Sequence, residues 1–449
     1  MKRRDFVKTT AGIGMAAILT NPASVSATPV NDRVNMALIG CGSRSDWLLR
    51  DLVNREQNDV RFLYAVDVQQ SRAEARAKQA FKEDTPTKAI QEASVVFDDP
   101  NVDAVVLATP DHWHALHTIQ ACQAGKDVYV EKPVARSPFE GEQMMNAAKK
   151  WNRIVQVGTQ TRSADYCFAA KKFIEEGNLG EIEYCRIHNM WPQRGPDTIQ
   201  TAPVPADLNW DRWLGPALYR DFSPTYMQGL QWEWFWGLGS GILGVQGIHQ
   251  IDMARWMLGA GYPQSVYAAG KLNAPGGGRE TPESIAATFD FGKCVVSLEQ
   301  TTGKPYMLET DFYVRENDLF PYWYQNATRV EIYGTKFLMV IGRLGAGWQV
   351  FDRTKNRLPV EKKGMFGRYP HVPHLANFVD CIRSRQKPNA PIEEGHCSTM
   401  LVHYANISWR LGQIKLEIDP TNGHITNCPD AAPLWKPEFR KEYDIPTIE

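Results

Sequence analysis

The stretch Val34–Ser45, VNMALIGCGSRS, predicts how the chain begins to fold. Its first half is an apolar run of strand length, which Gly40-Cys41-Gly42 ends abruptly, and a polar segment with helical spacing follows. A strand, a tight glycine turn and a helix start together form a dinucleotide-binding unit. In such a unit Gly40 permits the turn, and Gly42 lets the backbone approach a pyrophosphate at the helix N-terminus.

A second apolar run supports this interpretation, because residues 60–66 lead directly into Asp67. Dinucleotide-binding folds place a carboxylate at this distance from the glycine turn, where it accepts hydrogen bonds from the adenosine ribose. The carboxylate would repel a 2′-phosphate, so Asp67 favours NAD over NADP. Ser45 stands where the third glycine of the motif is expected. The alternative is an ordinary strand–helix–strand unit with a charged strand end.

Strand-like and helix-like runs then alternate as far as residue 158. The run Asp103–Thr109 is almost continuously apolar, as expected of a parallel strand covered on both faces. The alternation predicts an α/β fold class, with a doubly wound Rossmann domain over residues 32–158. Ligands bind beyond the carboxyl ends of such strands, where Thr109-Pro110 and Glu131-Lys132-Pro133 lie.

The pattern changes after residue 158. Short strand-like runs separated by glycine-containing turns predict a second α/β domain over residues 159–418, with a large, mostly antiparallel open sheet and helices on one face. The proline-rich tail, residues 419–449, is predicted to be mostly irregular.

The N-terminus, residues 1–27, is predicted to be a signal peptide. It has a basic head containing Arg3-Arg4, a short apolar segment and small residues before a cleavage site near Ala27. The head resembles a twin-arginine signal, which exports folded proteins, so we expect a periplasmic or otherwise exported protein. The apolar segment is too short for a membrane span. Because free NAD is scarce outside the cytoplasm, we expect the chain to fold around a tightly held NAD before export.

Composition narrows the possible partners. Lys and Arg total 50 against 51 Asp and Glu, so nothing suggests a nucleic-acid partner. The eight cysteines show no CxxC spacing, and we expect mostly free, buried thiols. His371 and His374 have a helical spacing that suits a metal, but no third ligand is evident, so no metal is predicted.

Taken in order, these motifs resemble the Gfo/Idh/MocA oxidoreductases, the family of glucose–fructose oxidoreductase and inositol dehydrogenase. The likeness covers nearly all of the chain after the signal peptide, and it includes Gly177–Gly180, Gly247-Ile248-His249 and the 374–378 region. It implies a Rossmann domain followed by an α/β domain whose open sheet joins the subunits of a homo-oligomer, a dimer or tetramer.

The resemblance also implies site residues. The cofactor-binding set is Gly40, Gly42, Ser43, Arg44, Asp67, Thr109, Pro110, His114, Glu131 and Lys132. Trp113 and His114 are expected on a loop around the nicotinamide. The substrate set is Gln160, Arg162, Tyr166 and His249.

Two of these residues are expected to carry the chemistry. Lys132 follows a buried strand, where its ammonium can stabilise a developing alkoxide, and the Lys132-Pro133 peptide is a candidate for the cis form. The resemblance implies that His249 takes the hydroxyl proton, a task that suits imidazole. One position departs from the family: Val245 stands where many members carry an aspartate. Asp252 could orient the His249 ring instead, or be purely structural.

These observations lead to three hypotheses. The first is an NAD-dependent oxidoreductase that transfers hydride between tightly bound NAD and a secondary hydroxyl or ketone of a sugar, glycoside or cyclitol. The second is a glycoside hydrolase that oxidises C3 transiently and cleaves by elimination. The third is a non-catalytic sugar-binding protein that retains NAD.

Overall fold

The computed structural model describes residues 33–449 apart from 56–58, 82–85, 191, 273–277, 304–306 and 353–357. The predicted signal peptide, 1–27, lies outside the described residues. Two sheets organise the described part of the chain, and the strand order of each explains where the functional cavity lies.

The first sheet has six described strands, all parallel, in the order β3-β2-β1-β4-β5-β6. Its central strands β1, β4 and β5 are buried at every position, which explains why they are apolar throughout. The strands are β1 (Val34–Ile39), β2 (Val60–Val66), β3 (Lys88–Ile90), β4 (Ala104–Leu107), β5 (Asp127–Val130) and β6 (Val155–Val157).

Helices connect these strands, as the alternating pattern predicts. They are α1 (Ser43–Val53), α2 (Gln70–Ala80), α3 (Ser94–Asp98), α4 (Asp111–Gln123) and α5 (Pro138–Lys150). One expectation is wrong: Trp113 and His114 lie in α4, not on a loop. Pro110 is extended and Asp111 stands in the first helical turn, so the helix begins immediately after the proline.

The second sheet has nine described strands in the order β14-β13-β12-β11-β7-β10-β9-β8-β15, and every pairing except β7 with β10 is antiparallel. The fold class is therefore confirmed. The strands are β7 (Ile182–Asn189), β8 (Ser265–Lys271), β9 (Ser284–Asp290), β10 (Val295–Thr301), β11 (Thr328–Gly334), β12 (Phe337–Gly342), β13 (Trp348–Asp352), β14 (Pro359–Met365) and β15 (Leu416–Glu417).

Helices cover one face of this sheet and enclose its core. The remaining described α-helices are α6 (Asp165–Glu175), α7 (Trp210–Leu214), α8 (Ile248–Leu258), α9 (Phe312–Glu316), α10 (His371–Ser384), α11 (Ile392–Arg410) and α12 (Ala432–Trp435). The α10 helix returns to the first sheet, where Leu375 and Phe378 pack with Leu48. Among the described helices, none combines the length and apolarity needed to cross a bilayer.

The C-terminal tail is more ordered in its packing than its composition predicts. Ile445 and Ile448 are buried in the core of the first domain, beside Phe139. The backbone amide of Ile448 donates to Gln143 at 2.6 Å, and Asn146 donates to the Ile448 carbonyl at 3.0 Å. All eight cysteines are free, and all but Cys428 are buried, as expected.

Candidate active site

A cavity of about 1450 Å³ runs from the glycine turn after β1 to the start of α8. This volume exceeds that of an ordinary single-ligand pocket and leaves room for a dinucleotide and a substrate together. Most of the predicted site residues line it: Gly40, Gly42, Ser43, Arg44, Asp67, Thr109, Pro110, Glu131, Lys132, Gln160 and His249.

The glycine turn fits a pyrophosphate. Gly40 has φ +91°, and a Cβ built on it would lie 2.7 Å from the Ala108 and Thr109 backbone, so only glycine suits the position. A Cβ on Gly42 would meet no protein atom within 4 Å. Gly42 is also the N-cap of α1, and no side chain caps that helix end. The free amides and the open space together form a cradle for an anion.

Asp67 lies at the carboxyl end of β2, beside this turn. Its carboxylate accepts hydrogen bonds from the amides of Cys41 at 2.7 Å and Gln69 at 2.9 Å. Burial raises the pKa of Asp67, whereas these two amides and the nearby Arg72 act in the opposite direction. The carboxylate is thus fixed at the expected ribose position, although arginine side chains stand close to it.

A segment of the second domain covers the dinucleotide end of the cavity. The Asn209 amide donates to the Val68 carbonyl at 2.9 Å, and the Gln70 amide donates to Asp207 at 3.0 Å. The same segment contributes Trp213, Tyr226 and Trp232 to the cavity wall. In addition, tail residues 442–444 line the cavity, and Tyr443 packs edge-on against Trp113. Segment 205–232, with the tail, is referred to below as the cover.

Lys132 lies just beyond β5 at the other end of the cavity. Its ammonium donates to the Val245 carbonyl at 2.8 Å, and the Lys132-Pro133 peptide is cis, as expected. Burial lowers the pKa of Lys132, while Glu131, Glu233 and Asp111 oppose that change. Val245 belongs to a π-helical turn, Leu243–Gly247, a rare geometry that often marks functional sites.

Asp111 and Glu233 also line the cavity, and the sequence motifs pointed to neither of them as a functional group. Both are buried, and burial raises the pKa of each carboxyl while Lys132 opposes the rise. Glu233 lies in an aromatic run, residues 232–236, whose composition is typical of a hydrophobic core. The one sequence signal available was a charged residue between two tryptophans.

His249 lies in the first turn of α8 and is buried. Its pKa is held well below the usual range by burial, and Arg343 and Lys132 lower it further. The imidazole is therefore neutral at physiological pH and able to accept a proton. Arg343, another residue outside the motifs, donates to Gln246 at 2.8 Å and also lines the cavity.

Three predicted site residues do not line the cavity. The ring nitrogens of His114 contact the Pro133 and Thr109 carbonyls at 2.8 and 3.1 Å. The buried Tyr166 hydroxyl donates to the Gly342 carbonyl at 3.0 Å. The positions of both side chains are explained by these bonds within the fold.

Arg162 is the third of these residues. Its guanidinium Nε donates to both carboxylate oxygens of Asp252, at 3.0 and 2.8 Å, and the Ser398 hydroxyl donates to the same carboxylate at 2.6 Å. Arg162 is therefore held in a buried ion pair rather than presented to a substrate. Asp252 holds Arg162 and Ser398 instead of orienting the His249 ring.

Three of the predicted residues that line the cavity engage other side chains. Arg44 and Glu131 form an ion pair at 2.7 Å that joins the start of α1 to the end of β5. Gln160 donates to the Tyr129 hydroxyl at 3.3 Å. The pair at Arg44 and Glu131 thus fixes the glycine turn next to the strand end that carries Lys132.

The two histidines with metal-like spacing are both engaged. His371 contacts Asp51 at 2.5 Å, and His374 contacts Ser163 at 2.8 Å and the Val157 carbonyl at 3.0 Å. Within the part of the chain that the structure describes, no three His, Cys, Asp or Glu side chains converge in a way that could hold a metal ion.

A doubly wound parallel sheet with a glycine turn, followed by an open antiparallel sheet, defines a two-domain protein of the dinucleotide-binding class. Two family models match the chain over residues 34–159 and 217–339. The first is described as an oxidoreductase family with an NAD-binding Rossmann fold, and the second as the GFO/IDH/MocA C-terminal domain. Together they cover more than half of the sequence, and the chain belongs to the Gfo/Idh/MocA oxidoreductase family.

Curated relatives include enzymes that act on anhydrosugars and cyclitols. A levoglucosan dehydrogenase of Pseudarthrobacter phenanthrenivorans is 33% identical over 36% of this chain and 35% of its own length. The NADP-dependent scyllo-inositol 2-dehydrogenase of Bacillus subtilis is 27% identical over 47% and 49%. These matches span half or less of each relative. A myo-inositol 2-dehydrogenase of Thermotoga maritima is 24% identical over 79% and 91%.

Solved structures share the whole architecture. A levoglucosan dehydrogenase in complex with NADH and levoglucosan superposes with a TM-score of 0.62 at 20% identity, covering 86% of this chain and 99% of that one. At this identity the likeness establishes the fold alone.

Proposed function

We propose that this protein is an oxidoreductase that interconverts a secondary hydroxyl and a ketone on a sugar, glycoside or cyclitol, with NAD held at the glycine turn. The observation that carries the proposal is one continuous cavity lined by the open Gly42 turn, by Lys132 and by His249. When bound, the nicotinamide of NAD supplies the hydride acceptor or donor.

The chain's own residues would handle the oxygen and the proton. The Lys132 ammonium is fixed by the Val245 carbonyl and can stabilise negative charge as it develops on the substrate oxygen. The neutral His249 imidazole can take the hydroxyl proton through one ring nitrogen. Glu131 and Arg44 form an ion pair beside them, so Lys132 rather than Arg44 would present its positive charge to the substrate oxygen.

We also propose that the nucleotide is tightly held. The cover supports this, since a dinucleotide lying along the glycine turn would be enclosed by segment 205–232 and by the tail. Its release would require the Asn209–Val68 and Gln70–Asp207 hydrogen bonds to break. NAD is proposed over NADP because of the Asp67 carboxylate, although Arg72 lines the same end of the cavity.

The experiment is to purify and dialyse the full-length protein, denature it, and identify the released nucleotide by mass spectrometry. The native protein is then mixed with levoglucosan, myo-inositol, scyllo-inositol and methyl glucosides, and bound-cofactor absorbance is followed at about 340 nm. We expect one nucleotide per chain and an absorbance change with at least one polyol. A protein free of nucleotide would contradict tight binding, and no change with any sugar or cyclitol would contradict the reaction.

Two further proposals concern where and how the protein works. Export follows from the twin-arginine-like head, and N-terminal sequencing of the mature protein tests it. Homo-oligomerisation is supported by the outer face of the second sheet, where Tyr267 is 45% exposed and Val295 is 37% exposed. Light scattering of the purified protein would measure the number of subunits.

A further inference from the structure

One buried carboxyl at the substrate end of the cavity is only partly satisfied by the fold. Glu233 is 2% exposed and lies in the short 3₁₀ turn Gln231–Trp234. It lines the same cavity as Lys132 and His249. Its carboxyl oxygen Oε2 has no hydrogen-bond partner among the described residues. A buried carboxyl oxygen without a donor is costly, so such a group is rarely kept for stability.

The surroundings of Glu233 explain how it is held in place. Oε2 packs against Gly239, where an added Cβ would come within 2.5 Å of it. The next residue, Ser240, donates through its hydroxyl to Asp111 at 3.3 Å. Burial raises the pKa of Glu233 well above its usual range and Asp111 adds to the rise, whereas Lys132 and a hydrogen bond from the Ser240 backbone oppose it. Glu233 is thus positioned by the loop that contains Gly239 and Ser240, and it interacts electrostatically with Lys132.

Glu140, a second fully buried glutamate, shows how the fold satisfies such a carboxyl with side-chain donors. Glu140 is equally buried, but its carboxylate accepts from Arg136 at 2.9 Å and from the Ser137 hydroxyl at 3.0 Å. Glu140 does not line the cavity. Both carboxylate oxygens of Glu140 therefore have side-chain donors, whereas Oε2 of Glu233 has no hydrogen-bond partner among the described residues.

We propose that Glu233 contacts the substrate, accepting a hydrogen bond from a hydroxyl adjacent to the one that Lys132 holds. An ammonium donor and a carboxyl acceptor in one chamber complement two neighbouring hydroxyls, one accepting and one donating. The preferred ligand class is then a vicinal diol on a ring, not an isolated secondary alcohol. This inference rests on the proposed function, because it assigns a second contact in the same substrate chamber.

The test compares diols with monodeoxy analogues by calorimetric binding to the purified full-length protein with its retained nucleotide. The probes are scyllo-inositol, levoglucosan and a monodeoxy derivative of each. We expect the wild type to bind at least one diol about 100-fold more tightly than its deoxy analogue. Glu233→Met, which removes both carboxyl oxygens, should abolish most of that difference by weakening diol binding, and Glu140→Gln should leave the difference intact.

Thermal unfolding provides a readout that a structural role would not give. The pKa of Glu233 is higher in the folded state than in the unfolded state, so this residue makes the native state less stable as pH rises. Glu233→Gln should therefore match or exceed the wild-type Tm, with a gain that grows with pH. Glu140→Gln should lower the Tm, since it weakens the ion pair with Arg136.

Binding and turnover separate the two proposals. If Glu233→Met removes the discrimination although no probe changes the absorbance at about 340 nm, where reduced nicotinamide absorbs, the diol contact stands and the redox function fails. If the wild type binds none of the probes or does not distinguish diol from deoxy analogue, or if Glu233→Met keeps the same discrimination, the assignment of Glu233 is overturned.

Discussion

The two ends of the cavity are formed by different parts of the chain, one by backbone and the other by side chains. The dinucleotide end is shaped by backbone: the Gly40 turn, the uncapped start of α1 and the open space above Gly42. The substrate end is shaped by buried charged side chains, with Lys132 facing the carboxyls of Asp111 and Glu233.

This difference predicts which substitutions would impair each end of the cavity. Backbone amides at a helix start can bind an anion whatever their own side chains are, so only bulk or backbone strain disrupts them. A buried ammonium among carboxyls is costly to maintain, and its value lies in the charge it presents to a ligand. Substitutions at the first end should change nucleotide retention, and substitutions at the second should change turnover.

The largest effect is expected at Lys132. Lys132→Met removes the positive charge that would stabilise the substrate oxygen, and we expect turnover to fall by about 10²–10³-fold. The nucleotide should be retained, because the glycine turn is unchanged. Single-turnover absorbance of the bound cofactor and mass spectrometry of the released nucleotide measure the two quantities.

Lys126→Met is the matched control. Lys126 is also buried, but it precedes β5 and donates to the Asp99 carbonyl, whereas Lys132 follows that strand. Its replacement should lower stability and leave turnover per folded molecule unchanged. Equal losses of turnover in the two variants would mean that the substrate end depends on the integrity of β5 and not on the Lys132 charge.

The next effect concerns the glycine turn. Gly42→Ala places a methyl group in open space at an ordinary φ of −75°, so the chain should fold normally. The methyl group would occupy the pyrophosphate cradle, and we expect nucleotide affinity to fall by about 10-fold or more. Calorimetric titration of nucleotide-stripped protein measures the change.

Gly40→Ala should instead reduce the stability of the fold. Its positive φ and the 2.7 Å approach to the Ala108 and Thr109 backbone predict a loss of about 3 kcal/mol or more in the free energy of unfolding. Urea unfolding distinguishes the two variants. If Gly42→Ala proved the less stable one, or kept full nucleotide affinity, the cradle would not be at Gly42.

The dinucleotide end could be predicted from sequence because it is local. The strand, the glycine turn and Asp67 all lie between residues 34 and 67, and each has a periodic or steric signature. The mostly antiparallel second sheet was predicted for the same reason, from short strands and glycine turns. A periodic pattern does not predict β14, because its lysines and glycine leave no clear apolar alternation.

The substrate end could be predicted only in part. Lys132 and His249 belong to motifs, but Glu233 reaches the cavity through a loop of the second domain. Arg162 was predicted to bind the substrate, yet its guanidinium is held in an ion pair with the buried Asp252 carboxylate. Long-range packing decides which polar groups have hydrogen-bond partners inside the fold. A pattern of residues along the sequence does not show that packing.

A smaller effect is expected on cofactor choice. Asp67→Asn removes the charge that would repel a 2′-phosphate and keeps an oxygen for the Cys41 or Gln69 amide. We expect the affinity for NADP relative to NAD to rise by about 10-fold. Asp46→Asn, which removes a carboxylate 3.2 Å from Arg76 on the outer side of the turn, is the control. A similar shift in both variants would indicate a general charge effect.

The smallest effect is expected from removing one of the histidines that are buried in the frame supporting both ends. Burial lowers the pKa of His112 and His374 to about 4, and of His117, His396 and His403 to about 3. Below pH 6.5 the unfolded chain therefore binds protons that the native state does not. Each histidine should cost roughly 1 kcal/mol of unfolding free energy for every pH unit between about 6.5 and its folded pKa.

Urea unfolding at about pH 7.5, 6.5 and 5.5 tests this, because the loss should begin only below the unfolded histidine pKa. His403→Gln should make the acid slope shallower by the share of one histidine, while His424→Gln, at an exposed position, serves as the control. A slope that is unchanged by His403→Gln would mean that His403 does not contribute to the loss of stability. Carboxylates are a separate source, such as Asp59, whose pKa is lowered to about 2 by Arg55 and Arg383 despite partial burial. Their contribution falls at lower pH, near the usual carboxyl pKa, so the pH at which stability begins to fall separates the two sources.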